Sequence, residues 1–380
     1  MTEALAGPYC SMMLGDFGAD VIKIERPGSG DQSRRWGPPF LEGESAYFLS
    51  VNRNKRSLEL DIKASDDLAV LHKLIEQSDV FITNIPRMTS LKKARIDPET
   101  LAAINPRLIY AAISGYGHTG PKASRGGYDI IAQGEAGLMA LTGEPEGMAS
   151  RFPTPMADIT AGLYSVMGIQ AALYARDIQG TGVGQFIDVS LVDAQTTWLA
   201  NIGGSFFADG QRPERLGNIH PTVCPYQPFR AKDKLIIVAV GTERLWERFC
   251  AVLGITETTM KDPRFSTNPL RNENRDVLIP ILEGIIVTRD GDEWLEKFID
   301  NGIPSGPINF PDETLTDEHL HARGMIVELE HPTAGRIKSI GNPIHMSKDG
   351  PTYRRYPPRL GEHNDEIREE LVAKPNTGVE

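Results

Sequence analysis

Cysteine is scarce in this 380-residue chain: Cys10, Cys224 and Cys250 lie far apart, with no Cys-x-x-Cys spacing. That excludes a disulfide framework and a cysteine-rich zinc site, and points to a reducing compartment. The eight histidines are scattered, and only His319 and His321 fall close together, on a polar stretch. No metal site is expected from such a pattern. Long apolar runs are missing too; none approaches the roughly 18 residues that cross a bilayer, so no membrane partner is expected. Positive charge is in deficit, with a formal net charge of −11. A general nucleic-acid binder needs a basic surface, so that class is also set aside. No P-loop, HExxH, EF-hand loop or GxSxG elbow occurs. Gly28-Ser-Gly30 is followed by acids and arginines, which breaks the dinucleotide fingerprint. No secretory or transit segment is recognisable at the start. The expected location is cytoplasmic, or mitochondrial if the natural chain begins earlier.

What is present is an α/β texture. Short apolar runs at Asp20–Glu25, Ser57–Asp61, Asp79–Thr83, Leu108–Ile113 and Phe186–Val192 alternate with helical patterns. That alternation predicts a Rossmann-like domain with a largely parallel sheet. Ligands then belong at the carboxyl ends of strands, at Glu25-Arg26, Asn84 and Ser114-Gly115. From about Arg212 the texture changes to turns, an apolar run at Leu235–Val240, and helices. The predicted division is a large domain over 1–210, a smaller α+β domain over 211–307, and a segment 308–380 that returns to the first.

One stretch stands out, Pro153-Thr-Pro-Met-Ala-Asp158, followed by a long helical pattern from Ile159 to Ile178. The prolines keep the approach extended. Asp158 then falls where the helix should begin, among small neighbours. It reads as an N-cap whose charge the helix start would keep ionised, or as an approachable nucleophile. With no metal ligands and no Ser–His pair nominated, a carboxylate is the nucleophile on offer. Basic groups gather at Arg26, Arg34-Arg35, Arg53-Lys55-Arg56 and Lys92-Lys93. Each is ordinary surface charge taken alone, but several at strand ends suit a polyanionic small molecule carrying phosphates.

Several ordered segments resemble the class III CoA-transferases of the CaiB/BaiF type. They include Leu5-Ala-Gly-Pro8, Gly18-Ala-Asp-Val-Ile-Lys-Ile-Glu25, Asn52-Arg-Asn-Lys-Arg-Ser57, Ser114-Gly-Tyr-Gly117, Gly127-Tyr-Asp129 and Ala157-Asp-Ile-Thr-Ala-Gly162. The resemblance implies a ring-shaped chain forming an interlocked homodimer. It implies Asp158 as the covalent nucleophile, with Tyr128 beside it. Ala6, Arg26, Leu60, Lys63, Asn84, Lys93 and Arg125 would line the coenzyme A path; ahead of Lys93 the loop after Asn84 departs from the family pattern. The implied substrates are an acyl-CoA and a carboxylic acid, with no permanently bound cofactor.

The likeness is closest to members that pass coenzyme A between succinate and a second dicarboxylic acid. His220 and Arg34 (or Arg35) are the cations that could meet the second carboxylate. Family members open with a strand of the type Val-Leu-Asp-Leu-Thr, whereas this sequence starts at Met1-Thr-Glu-Ala-Leu5. The sheet is therefore expected to be a strand short, and the start to be truncated. Two other readings stay open. An α-methylacyl-CoA racemase would carry a histidine where Tyr128 stands, and a phenol is a poor substitute for an imidazole. A non-catalytic acyl-CoA binding protein would keep the basic groups and have no need of Asp158.

Overall fold

The structure is a computed structural model and describes residues 1–373. It divides into two units. Unit 1 comprises Met1–Met139, Arg151–Gln211 and the segment from Glu318 onward; unit 2 comprises Ala140–Ser150 and Arg212–Asp317. The return to unit 1 thus begins ten residues later than the predicted 308, and residues 140–150 join the smaller unit.

In unit 1, strands β1 (Val21–Glu25) and β2 (Lys55–Glu59) pair in parallel, Val21 opposite Lys55. Strands β3 (Val80–Thr83), β4 (Ile109–Ser114) and β5 (Phe186–Ser190) form a second parallel sheet with β4 central. Every residue of β4 is buried, as expected of an apolar strand covered on both faces. Helices fill the crossovers: α1 (Ala6–Asp16), α2 (Ala46–Val51), α3 (Ser65–Glu76), α4 (Met88–Ala94), α5 (Pro98–Ile104) and α6 (Asp129–Glu135). The long α7 (Met156–Asp177) follows, then α8 (Leu191–Thr196) and α9 (Ala200–Asp209). Between α8 and α9 the chain tightens into a 3₁₀ turn at Thr197–Leu199. There the Thr197 hydroxyl donates to Ala194 O at 2.8 Å and accepts from the Tyr164 phenol at 3.0 Å.

Met1 to Glu3 run beside β3 without forming a strand: the Met1 ammonium donates to Ile82 O, and Glu3 exchanges hydrogen bonds with the Asn84 amide.

The core of unit 1 has two main parts. Ala6, Cys10 and Met13 of α1 pack with β4 and with Ala157, Ala161, Val166 and Ile169 of α7. Contact is close because Gly162 has no side chain: a Cβ there would lie 2.8 Å from Ala6 O. The second part joins Leu58, Leu60, Leu71, Ile75 and Leu101 to Ile367 of the last helix, α10 (Asn364–Ala373).

The basic run Arg53-Lys55-Arg56, read above as a candidate for binding a polyanion, is structural. Arg53 is buried and bidentate to Asp16, with further bonds to Ser339 Oγ and Ile340 O. Lys55 is buried and donates to Pro8 O, Val51 O and Asn52 Oδ1; burial and then Lys23 push its ammonium well below the usual lysine range. Arg56 meets Asp20, Glu366 and Glu370. Buried cations must be paired, and these have found partners within the fold.

Unit 2 is built around three antiparallel strands, Tyr226–Arg230, Leu235–Ala239 and Ser305–Pro307. The helices Glu243–Leu253, Arg275–Ile286 and Gly291–Asp300 bury Trp246, Phe249, Leu282, Trp294 and Phe298 with Ile236 and Val238 of the sheet. This is the α+β arrangement anticipated for the smaller unit.

Candidate active site

The carboxyl ends of β1, β2, β3 and β4 open on one cavity of about 1260 Å³ in unit 1. That exceeds the roughly 300–1,000 Å³ of sites for drug-sized ligands and leaves room for an extended substrate. Glu25-Arg26, Leu60–Lys63, Asn84–Pro86 and Ser114-Gly115 line it where the strands end. Trp36, Tyr47, the Gly126–Ile130 turn, Arg151 and the start of α7 complete the wall. Gly115 and Gly127 let two of these loops touch: a Cβ on either would fall 2.6 Å from the other's Cα. That approach holds Tyr128 and Asp129 at the cavity.

Asp158 lies inside the first turn of α7, three residues after Pro155, so it is not the N-cap. The capping role belongs to Asp129 of α6, whose Oδ1 accepts the Ala157 N–H at 2.8 Å. The Met156 N–H is also engaged, by Thr154 O at 2.8 Å. The expectation that the helix start keeps Asp158 ionised is corrected accordingly. Burial first, and Asp129 second, push its pKa from 3.8 up to about 7. The helix end favours the anion by only about 0.3–1 kcal/mol, and desolvation plus a like charge outweigh it.

Tyr47 and Trp36 were not singled out in the sequence, because neither stands in a chemical motif. In the structure they meet edge to face, ring centroids 4.9 Å apart, in the cavity wall. Burial, then the charges of Asp158, Asp129 and Asp31, push the Tyr47 phenol up to about 12, so it remains a hydrogen-bond donor at neutral pH. Arg151 also lines the cavity, with one Nη1 bond to Pro153 O at 3.2 Å.

Of the residues proposed from the sequence, Asp158, Tyr128, Ala6, Arg26, Leu60, Lys63 and Asn84 share this cavity. Tyr128 is 71% exposed, which sets aside a buried structural tyrosine. Arg26 is exposed and ion-paired with Glu3. Ala6 and Leu60 are buried in the wall. Asn84 spends its amide on Glu3, accepting from its N–H at 3.1 Å and donating to its carbonyl at 2.8 Å.

Lys93 and Arg125 are placed elsewhere: Lys93 is exposed on α4, and Arg125 pairs with Glu135 and stacks over Tyr116. Arg34, proposed as a substrate-binding cation, is engaged within the fold. Its guanidinium is bidentate to Glu25, lies 3.7 Å from the Phe48 ring centre and donates to Pro358 O. His220 belongs to unit 2, where its Nδ1 accepts backbone N–H groups from Thr222 and Val223.

Comparison with known proteins follows the same line. The model of CoA-transferase family III matches residues 1–364. A succinate–glutarate CoA-transferase of Agrobacterium fabrum is 40% identical over 385 aligned residues, covering 100% of this chain and 95% of that protein. The human succinyl-CoA:glutarate CoA-transferase is 38% identical, covering 98% and 84% of the two chains. Among solved structures, a CAIB/BAIF family protein from Brucella suis superposes with a TM-score of 0.86 at 40% identity, covering 98% and 97%. A match that runs from the first residue to the start of the last helix, over a strand-end cavity with an acid at its helix start, makes this chain an enzyme of CoA-transferase family III.

Proposed function

We propose that the enzyme moves coenzyme A from succinyl-CoA to a second dicarboxylic acid through covalent chemistry on Asp158. The observation that carries this reading is the Asp158 carboxyl, set in the wall of the large cavity and raised to about 7. The similarity to succinyl-CoA:glutarate transferases supports the choice of donor and acceptor class.

An Asp158 carboxylate oxygen attacks the thioester carbonyl carbon. The C–S bond breaks, coenzyme A leaves as thiolate, and a succinyl–aspartyl anhydride remains. The thiolate then attacks the aspartyl carbonyl of that anhydride, succinate leaves, and Asp158 carries coenzyme A as a thioester. The acceptor carboxylate attacks this thioester and expels the thiolate, which takes the acceptor's acyl carbon from the new anhydride. Product acyl-CoA and free Asp158 result. Dividing one exchange into such steps is the gain of covalent catalysis. A carboxyl near 7 also narrows the gap between attacking and leaving groups, since a thiol ionises near ~8.5.

Ala6, Arg26, Leu60, Lys63 and Asn84 form the coenzyme A side of the site in this reading. Tyr128 and the protonated Tyr47 phenol supply donors beside Asp158. Lys93 and Arg125 would join only by turning away from their present positions.

The active form is a homodimer, interlocked as in the resemblance. Supporting this is the outward stripe of α7, with Leu163, Tyr164, Met167 and Tyr174 exposed, and Ile178 exposed just past its end. Apolar residues at helical spacing on an uncovered face mark an interaction surface.

The test is turnover of succinyl-CoA with a panel of mono- and dicarboxylic acids, reading acyl-CoA masses. New dicarboxyl-CoA products are expected from the wild type and none from Asp158→Ala, which should still bind coenzyme A. Equal products from both proteins would refute the reading.

A further inference from the structure

Asp158 is delivered to the cavity by an irregular stretch, Phe152 to Pro155, that has no secondary structure of its own. Loops hold catalytic groups accurately only when something else fixes them. Here that support comes from α6. Gln133 is 2% exposed, and both ends of its amide face this stretch. Its Oε1 accepts the Phe152 N–H at 2.8 Å, and its Nε2 reaches Phe152 O at 3.3 Å and Thr154 O at 3.4 Å. The same Nε2 donates to Asp129 Oδ2 at 2.7 Å, while Asp129 Oδ1 accepts from Ala157 N. One side-chain pair, a single helical turn apart on α6, therefore grips the approach to α7 on both sides of its prolines.

We propose that Asp129 and Gln133 are positioning residues which, given the role of Asp158 in the reading above, clamp residues 152–157 and set the charge and aim of the nucleophile. Neither side chain is asked to touch the acyl group. Asp129 serves twice, because the carboxylate that caps α7 also places a negative charge beside Asp158. That charge opposes the helix start and keeps the nucleophile basic. The other titratable groups lining the same cavity are Glu3, Glu25, Arg26, Asp31, Tyr47, Asp61, Lys63, Tyr128, Arg151 and the Met1 amine. Only Asp129 is bonded directly to the turn that carries Asp158. Gln133 fixes which oxygen of Asp129 faces the helix, since its Nε2 can only donate.

The test uses the full chain and three variants: Asp129→Asn, Gln133→Leu, and the exchanged pair Asp129→Asn with Gln133→Glu. The exchanged pair restores a donor–acceptor contact between the two positions while moving the charge away from the α7 turn. The measurement is kcat and KM for succinyl-CoA with a dicarboxylic acceptor from pH 5 to 9, with coenzyme A affinity by calorimetry. For Asp129→Asn the acid limb of kcat/KM is expected to move down on the order of one pH unit, as loss of a neighbouring like charge predicts. For Gln133→Leu, kcat should fall tenfold or more with KM changed less than about threefold, as for a misplaced group. The exchanged pair keeps an acceptor for the Phe152 N–H and the contact with position 129 but offers no donor to Phe152 O or Thr154 O, so it should recover part of that kcat and keep the lowered acid limb.

An unmoved acid limb in Asp129→Asn, or an exchanged pair no better than Gln133→Leu, overturns the proposal. If Gln133→Leu does not bind coenzyme A, the other two variants decide. A wild type that transfers nothing from succinyl-CoA would refute the functional reading itself, an outcome separate from these.

Discussion

At the scale of single residues the site rests on a contest between burial and charge. Burial and then Asp129 push the Asp158 carboxyl up to about 7, against the anion that the proposed reaction needs. In the proposed mechanism only the carboxylate attacks, so kcat/KM should rise with pH through about 7 and level off above it. A profile flat down to pH 5 would contradict this. The same shift has a cost in stability. Between 3.8 and about 7 the folded state holds a proton that the unfolded state has lost, so stability falls as pH rises through that window. Asp158→Asn should therefore raise the melting temperature by several degrees at pH 8 and by little at pH 4, as differential scanning calorimetry can show. The buried cations behave oppositely. Arg53→Ala leaves the buried Asp16 charge without its ion pair, held only by the Asn54 and Asn342 amides, a loss of about 3–5 kcal/mol, with coenzyme A affinity of the folded protein unchanged. Lys63→Ala, at the cavity, should weaken coenzyme A binding and leave stability within about 0.5 kcal/mol.

At the scale of elements the decisive contact is α1 against α7. Gly162→Ala would drive a Cβ to 2.8 Å from Ala6 O, where only backbone movement relieves the clash. A destabilisation of about 1–3 kcal/mol is expected, with kcat reduced more than coenzyme A affinity because α7 carries Asp158. Denaturant melts and calorimetry on the same sample separate the two effects.

This is also where the limits of sequence reading lie. The strands were legible because each is a short apolar run between turn formers, and all five appear within two residues of their expected bounds. Asp158 was legible because prolines and small residues precede a long helical pattern. The cap was not, since Asp129 reaches Ala157 from another helix, 28 residues earlier in the chain. Likewise Arg53 looked available as a phosphate ligand; its partner Asp16 is 37 residues away, and charge runs do not reveal such pairings.

At the scale of the whole molecule, the outward face of α7 links folding to function. It carries exposed apolar residues at helical spacing, with Met167 62% and Tyr174 56% exposed. On the proposed homodimer, Met167→Glu together with Tyr174→Glu should shift the mass in light scattering from two copies to one and reduce turnover with it. An unchanged mass would remove the second copy from the account. The central claim is tested most directly by covalent trapping. The enzyme is held with succinyl-CoA, quenched with hydroxylamine, digested and mapped by mass spectrometry. A hydroxamate on the peptide at Asp158, absent without succinyl-CoA, is the result predicted here; a label on another residue, or on none during turnover, would contradict it.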